Sequence, residues 1–437
     1  MKHPRIFAAQ LGCAKNQVDG EHMLAELYSA GFVSTENAEK ADFLLINTCG
    51  FIEDAKTESI NTVLSFIEAK KPSQKLIVTG CLSGRYMEEL PKEMPEVDYW
   101  LGTYEPGKIL KVLGLGEKAS GTENIARLNL GDYKHHAYLK VAEGCDRRCA
   151  FCAIPNIRGK QISFSIESII QEAKELEAQG VQELTLIAQD TTFYGHDQGC
   201  KTGPSLAKLL KAVLKETNIP WIRTLYWYPE FIDDELLDLM ANEPRICKYV
   251  DMPIQHASSH VLKLMRRSYN QQSLRKMLTD IRTKIPGVTL RTTVLVGFPG
   301  ETQEDFEELM QLIQDVRFEH LGGFVFSPEE GTPAMKLKEE PVPEELARAR
   351  LDAIQDLQEE ISSEANEALI GKEVKVLIDE VAEESDYHFI GRTEGNSLDS
   401  DDIVKIVEGD ANPGEFYMVK IIDAEPHELI GRIVSHA

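Results

Sequence analysis

No apolar run in this sequence approaches the roughly 18 to 20 residues that a membrane-spanning helix needs. The first residues, Met1-Lys2-His3-Pro4-Arg5, lead into a short strand-like run without the apolar core of a signal peptide. Neither a membrane span nor a secretory leader is expected, and the chain reads as cytoplasmic. Cysteine is scarce: eight in 437 residues are too few to staple a scaffold, and a reducing compartment leaves them as thiols for metal binding or catalysis. Basic side chains are the minority, 47 against 72 acidic, for a net charge of −25. Without a general basic surface the chain gains little from displacing the counterions of a polyanion, so nucleic acid is disfavoured and a basic protein is the more natural partner. Internal repeats and low-complexity tracts are missing too. What is there is ordinary globular material, 42% apolar and 27% charged, enough for two or three domains.

Three apolar runs near the start, 5–11, 42–47 and 75–79, alternate with helical patterns at 20–30 and 53–69, which predicts a small parallel α/β sheet. Each run ends at a cysteine, in Gly12-Cys13, Thr48-Cys49-Gly50 and Gly80-Cys81. The C-terminal ends of parallel strands share one edge, so cysteines more than thirty residues apart could converge there.

After a Gly- and polar-containing stretch, six further strand candidates follow at 137–142, 184–188, 222–227, 249–254, 289–296 and 320–326. Helical patterns lie between them, with Ser165 and Thr302 as candidate caps. Six strand–helix units predict an incomplete parallel (β/α)6 barrel with its chemistry at the C-terminal strand ends. From 343 to 369 one amphipathic helix is expected, its stripe formed by Leu346, Leu351, Ile354, Leu357 and Ile361, with Gly371 as the stop. Short β runs at 374–378, 389–392, 403–407, 416–422 and 428–434 then predict a small antiparallel barrel. The division expected is 1–115, a linker at 116–134, 135–342, a linking helix at 343–370, and 371–437.

The run Cys145-Asp146-Arg147-Arg148-Cys149-Ala150-Phe151-Cys152 follows the first barrel strand. Three thiolates so close can grip three irons of a cubane and leave the fourth open to a substrate or cofactor. A zinc knuckle or unrelated buried thiols are the alternatives. The spacing, the aromatic Phe151 before the last cysteine and the six-unit barrel resemble the radical S-adenosylmethionine enzymes. That resemblance implies that the open iron binds S-adenosylmethionine, whose reductive cleavage yields a radical that abstracts a substrate hydrogen. Cys13, Cys49 and Cys81 would each pass alone as a small side chain at a strand end, but three in one small domain point to a second cluster. Cys200 and Cys247 have no partner at ligand spacing and are expected to be structural.

The whole chain resembles the methylthiotransferases of the radical S-adenosylmethionine family, which join an N-terminal auxiliary-cluster domain to a C-terminal TRAM barrel. The resemblance implies two 4Fe-4S clusters, one on Cys145, Cys149 and Cys152 and an auxiliary one on Cys13, Cys49 and Cys81, with S-adenosylmethionine as methyl and radical source. Three segments look like the branch that modifies an aspartate of the basic ribosomal protein S-twelve: Gly12-Cys13-Ala14-Lys15-Asn16, Ala188-Gln189-Asp190-Thr191-Thr192 and Pro253-Ile254-Gln255-His256-Ala257-Ser258. Pro is commoner in that branch where Ala14 stands, a departure at a non-ligand position. The branch that modifies tRNA adenosine is the rival, and a non-enzymatic iron–sulfur electron carrier or a zinc module the rivals of another class. Residues 371–437 carry 6 basic and 16 acidic side chains, a balance that repels phosphate and suits a basic protein. Phe151, Gln189, Asp190 and Gly297 resemble positions around S-adenosylmethionine, while Asp251, Gln255, His256 and Arg291 belong near strand ends without an assigned role. An external electron donor and sulfur source are expected, with a monomer sufficient.

Overall fold

The computed structural model describes residues 3–115, 127–198, 203–384, 386–398 and 400–437. Cys200 and most of the expected linker, 116–126, lie outside the described residues.

The first strands, Arg5–Gln10, Phe43–Thr48 and Lys75–Gly80, pair in parallel, and the two-residue strands Val33–Ser34 and Tyr99–Trp100 extend the sheet to five. Helices cover both faces, so the central strands read as unbroken apolar runs; Leu44, Leu45, Ile46, Leu76, Ile77 and Val78 are all buried. The first helix, Ala14–Ser29, starts earlier than its apolar pattern implies, because Cys13 caps it through its carbonyl, which accepts from Asn16 and Gln17 N–H.

Six parallel strands build the central domain: His136–Lys140, Glu183–Ile187 and Trp221–Thr224 in one sheet, Tyr249–Asp251, Thr289–Val296 and His320–Val325 in another. A parallel bridge between Ile222 and Ile246 joins the halves into an incomplete barrel. Ser165 accepts from Ser168 N–H, and Thr302 forms a capping box with Asp305, so both helices begin where their caps place them.

The linking helix Glu344–Glu367 packs its expected stripe on the core at Leu351, Ile354, Leu357 and Ile361 but not at Leu346, which is 41% exposed, and buries Ala347, Arg350, Gln358, Ser362 and Asn366 as well. The helix covers the strand at the sheet edge, and such an edge offers carbonyls as well as side chains. Gln358 therefore faces inward and donates to the Phe318 carbonyl at 2.9 Å.

The last five strands, Glu373–Val381, Phe389–Thr393, Ile403–Glu408, Phe416–Glu425 and Glu428–His436, close a barrel. It is antiparallel except at one seam, where Ile403–Glu408 and Glu428–His436 run parallel. This barrel seats under the strand starts of the central domain. Phe416 packs edge-on against Trp221 at 4.8 Å, Asp379 meets His135 at 2.9 Å, and Arg392 meets Glu183 at 2.7 Å. Cys247 is buried in that layer, as expected of a structural residue. Among the described residues no helix is long and apolar enough to cross a membrane.

Candidate functional site

Strand ends deliver the first three cysteines. Cys13 precedes the first helix, Cys49 follows Phe43–Thr48, and Cys81 opens the short helix Cys81–Arg85 directly after Lys75–Gly80. Their approach is so close that Gly12, at φ +93°, has no room for a side chain: a Cβ there would meet the Cys49 Cβ at 2.9 Å. Cys49 is pinned by Ser59, whose hydroxyl accepts from its N–H at 3.0 Å and donates to its carbonyl at 2.8 Å.

The other triplet sits on a loop held at both sides. Ala150 donates to the Met265 carbonyl at 2.9 Å and accepts from Ala334 N–H at 2.7 Å. The Arg147 N–H points at Cys145 Sγ from 3.4 Å, and Arg267 Nη1 at Cys149 Sγ from 3.3 Å. Both triplets line one cavity of about 400 Å³, into which the open end of the barrel and the edge of the N-terminal sheet both face. Among the described residues no three ligating side chains converge on a single-ion site. The thiols stand apart, around a space.

Burial pushes the Cys145 and Cys152 thiols up to about 12 and Cys81 to about 11, and raises Cys49. Burial would raise Cys13 as well, but Lys15, the Asn16 N–H and Arg158 together hold it below its ordinary value. A cation that bonds sulfur displaces the protons of such thiols, and an all-sulfur donor set suits iron–sulfur clusters.

Gln189 lines the cavity with both side-chain amide atoms buried and unpartnered, the arrangement of a residue awaiting a polar ligand. Phe151 lines it too. Asp190 reaches the wall with both oxygens engaged, Oδ2 by Arg147 Nε at 2.7 Å and Oδ1 by Thr192 Oγ1 at 2.8 Å. Gly297 is not in the lining: its φ of +76° and a Cβ position 2.6 Å from the Ala347 Cβ show a glycine that admits the linking helix. Gln255 does line the cavity. Asp251 and Arg291 instead pair at 3.1 Å, with Arg291 also 3.1 Å from Asp401 of the last barrel, and His256 is buried 3.7 Å from Glu301.

The wall also carries four cations to which no motif assigns a role, Lys15, Arg147, Arg158 and Arg267, and the aromatic run Tyr226-Trp227-Tyr228. Lys15 and Arg147 stand beside cysteines and could have been weighed as counter-charges. Arg158 and Arg267 come from 77 and 118 residues beyond the sulfurs they approach.

A parallel barrel whose open end carries a three-cysteine loop defines a radical S-adenosylmethionine enzyme, and here a second triplet faces the first. Residues 139–313 match the Radical SAM superfamily, residues 370–434 the TRAM domain, and residues 5–102 the Uncharacterized protein family UPF0004. The chain is similar to the ribosomal protein uS12 methylthiotransferase RimO of Aquifex aeolicus, at 44% identity over 98% of this chain and 97% of that one. The RimO proteins of Myxococcus xanthus, at 43% over 98% and 92%, and of Anaeromyxobacter, at 41% over 100% and 94%, are comparable. In fold it resembles the radical S-adenosylmethionine methyltransferase TsrM of Kitasatospora setae with cobalamin and a 4Fe-4S cluster bound, with a TM-score of 0.56 and 13% identity over 76% of this chain and 77% of that one. The chain belongs to the RimO family of radical S-adenosylmethionine methylthiotransferases. Its cofactors are those of the family, two 4Fe-4S clusters and S-adenosylmethionine.

Proposed function

We propose that this enzyme inserts a methylthio group at the β-carbon of an aspartate in ribosomal protein uS12, the protein for which its RimO relatives are named. The observation that carries the reading is the single cavity lined by both cysteine triplets, because sulfur insertion at an unactivated carbon needs a hydrogen-abstracting centre and a sulfur-supplying centre within reach of one C–H bond. Cys145, Cys149 and Cys152 would hold one cluster, and Cys13, Cys49 and Cys81 the auxiliary one. With S-adenosylmethionine, these groups supply the radical, the sulfur and the methyl group.

The chain's own residues prepare the space. Gln189 offers its amide NH2 and its carbonyl oxygen toward S-adenosylmethionine, and Phe151 lines the same cavity. Asp190 acts at one remove, by holding Arg147 against Cys145. Arg158 and Arg267 place positive charge beside Cys81 and Cys149, where thiolates must persist. Tyr226, Trp227 and Tyr228 wall the cavity with rings that exclude water from a reactive carbon radical.

The C-terminal barrel favours a protein over tRNA. Arg392 is buried against Asp379 and Glu183, out of reach of phosphate, while Glu383, Glu384, Glu408, Asp410 and Glu425 are exposed. That surface steers a basic ribosomal protein. We propose the division at 1–115, 116–134, 135–342, 343–370 and 371–437, a monomer supplied by an external electron donor and sulfur source, and action in the cytoplasm. Incubating anaerobically reconstituted enzyme with uS12 and with tRNA, followed by mass spectrometry, tests the reading: a methylthio mass increment on the uS12 aspartate is expected, and modified adenosine with unmodified uS12 would overturn it. Iron analysis tests the ligands, since Cys49→Ala and Cys149→Ala should each remove about half the iron.

A further inference from the structure

Four basic side chains line the cavity, and three are committed to other groups. Arg147 is paired with Asp190 at 2.7 Å and with Glu230. Arg158 is paired with Asp19 at 2.9 Å and Glu143 at 2.8 Å. Arg267 donates to the Tyr269 hydroxyl and to the Pro253 carbonyl, both at 2.7 Å. Lys15 differs. Among the described residues it has no carboxylate partner, and its ammonium lies 3.2 Å from the centre of the Tyr226 ring. An ammonium drawn into a cavity wall costs free energy until an anion meets it, and a ring face offsets only part of that cost. Tyr226 itself is held at φ +62°, a backbone that L side chains rarely adopt, so the ring is positioned by the fold around it. Lys15 stands in the first turn of the helix Ala14–Ser29, two residues from Cys13, on a rigid element at the edge where the auxiliary sulfurs gather.

We propose that Lys15 is a carboxylate-binding subsite, which receives the side-chain carboxylate of the substrate residue while Tyr226 backs the ammonium. The inference rests on the reading that the substrate is a protein aspartate. In that residue the β-carbon is bonded directly to the carboxylate carbon. Anchoring the carboxylate on Lys15 therefore fixes the reacting C–H bond inside the space that both triplets line, and lets the cavity reject residues that bring no negative charge.

The test is a ratio: kcat/KM for intact uS12 divided by kcat/KM for uS12 with its target aspartate replaced by asparagine, measured on reconstituted wild type, Lys15→Arg and Lys15→Met, with iron and labile sulfide counted in each. Wild type is expected to favour the aspartate protein by about a hundredfold, Lys15→Arg to keep part of that preference, and Lys15→Met to bring the ratio near one at full iron content. A preference that survives in Lys15→Met, or a wild type indifferent to the exchange, overturns the proposal. So does loss of about half the iron in Lys15→Met, which would assign the ammonium to the thiolates instead. A wild type that modifies neither protein overturns the functional reading itself, a failure that no Lys15 variant can mimic.

Discussion

Arg158 Nη2 stands 3.2 Å from Cys81 Sγ, and the other arm of the same guanidinium donates to Asp19 at 2.9 Å and to Glu143 at 2.8 Å. Arg158 and Glu143 belong to the central domain, Cys81 and Asp19 to the N-terminal one. A single buried cation thus ties the sulfur of one triplet to the strand that leads into the other, and Lys140 completes the network by pairing with Asp19 and, at 2.6 Å, with Glu143.

Replacing Arg158 by Met should therefore act twice. Asp19 and Glu143 would be left to share Lys140, and breaking a buried ionic network from one side costs about 3–5 kcal/mol. The midpoint of urea denaturation should fall accordingly, and auxiliary iron should fall with it; Arg158→Lys should recover part of both. Unchanged iron together with an unchanged midpoint would show that other contacts hold the two domains in register.

Gly12→Ala should empty one site and spare the other. The added Cβ would sit 2.9 Å from the Cys49 Cβ at a φ of +93°. Strain alone costs about 1–2 kcal/mol, so the protein should still fold, while Cys49 is pushed aside and about half the iron is lost. Gly31→Ala separates strain from displacement. Its φ is +95°, but the nearest atom to its Cβ is His3 Nδ1 at 3.7 Å, and its iron should stay whole.

Acid should weaken the seat of the C-terminal barrel through His136. Burial holds this imidazole down to about 4; Glu183 and Asp379 pull it upward, and Arg392 and Arg223 push it down. Unfolded, it titrates near 6.5. Between those values the unfolded chain binds a proton that the folded one refuses, so His136 contributes its stability in full above pH 6.5 and loses it as pH falls toward 4. The loss amounts to roughly 3 kcal/mol at the lower limit. Denaturation midpoints of wild type should drop more steeply over this window than those of His136→Gln, and parallel curves would refute the assignment.

The strands were legible in the chain because each is an apolar run long enough to bury a side chain on both faces, as in Leu44 to Ile46. Two-residue strands such as Val33–Ser34 were not, since pairing with a neighbour defines them and two residues carry no period. Convergence of Cys13, Cys49 and Cys81 followed from topology: parallel strands end on one edge, and each of the three longer strands here leads into a cysteine. Gly297 stands outside the cavity lining, and its missing Cβ makes room for Ala347; a glycine that admits a neighbouring helix and one that admits a cofactor are written with the same letter. The linking helix was misread at Leu346 for a related reason. Its buried face keeps the apolar spacing of Leu351, Ile354, Leu357 and Ile361 but also satisfies the Phe318 and Glu319 carbonyls just before the last strand of the central barrel, a task that selects Gln358 and Ser362 over leucine.

The cation that seats the C-terminal barrel on the central domain is itself buried and so does not present charge at the surface. Arg392 gives Nε and Nη2 to Asp379 at 2.7 and 2.9 Å and Nη1 to Glu183 at 2.7 Å, and Glu183 is shared with Arg223 Nε at 2.7 Å. Every one of these side chains is buried, so salt should screen them little. Arg392→Met should cost about 3–5 kcal/mol, because it removes the buried cation that Asp379 and Glu183 share and leaves them only His135 and Arg223. Pairing it with Asp379→Asn should recover part of that loss, with a coupling energy of about 0.5–3 kcal/mol in a double-mutant cycle. Because this layer lies under the strand starts while the cysteines gather at the strand ends, the single variant should keep its full iron content even as its denaturation midpoint falls. If iron falls in step with stability, the barrel supports the reacting cavity as well as presenting an acidic face; if it does not, docking and chemistry are separable tasks at opposite ends of one set of strands.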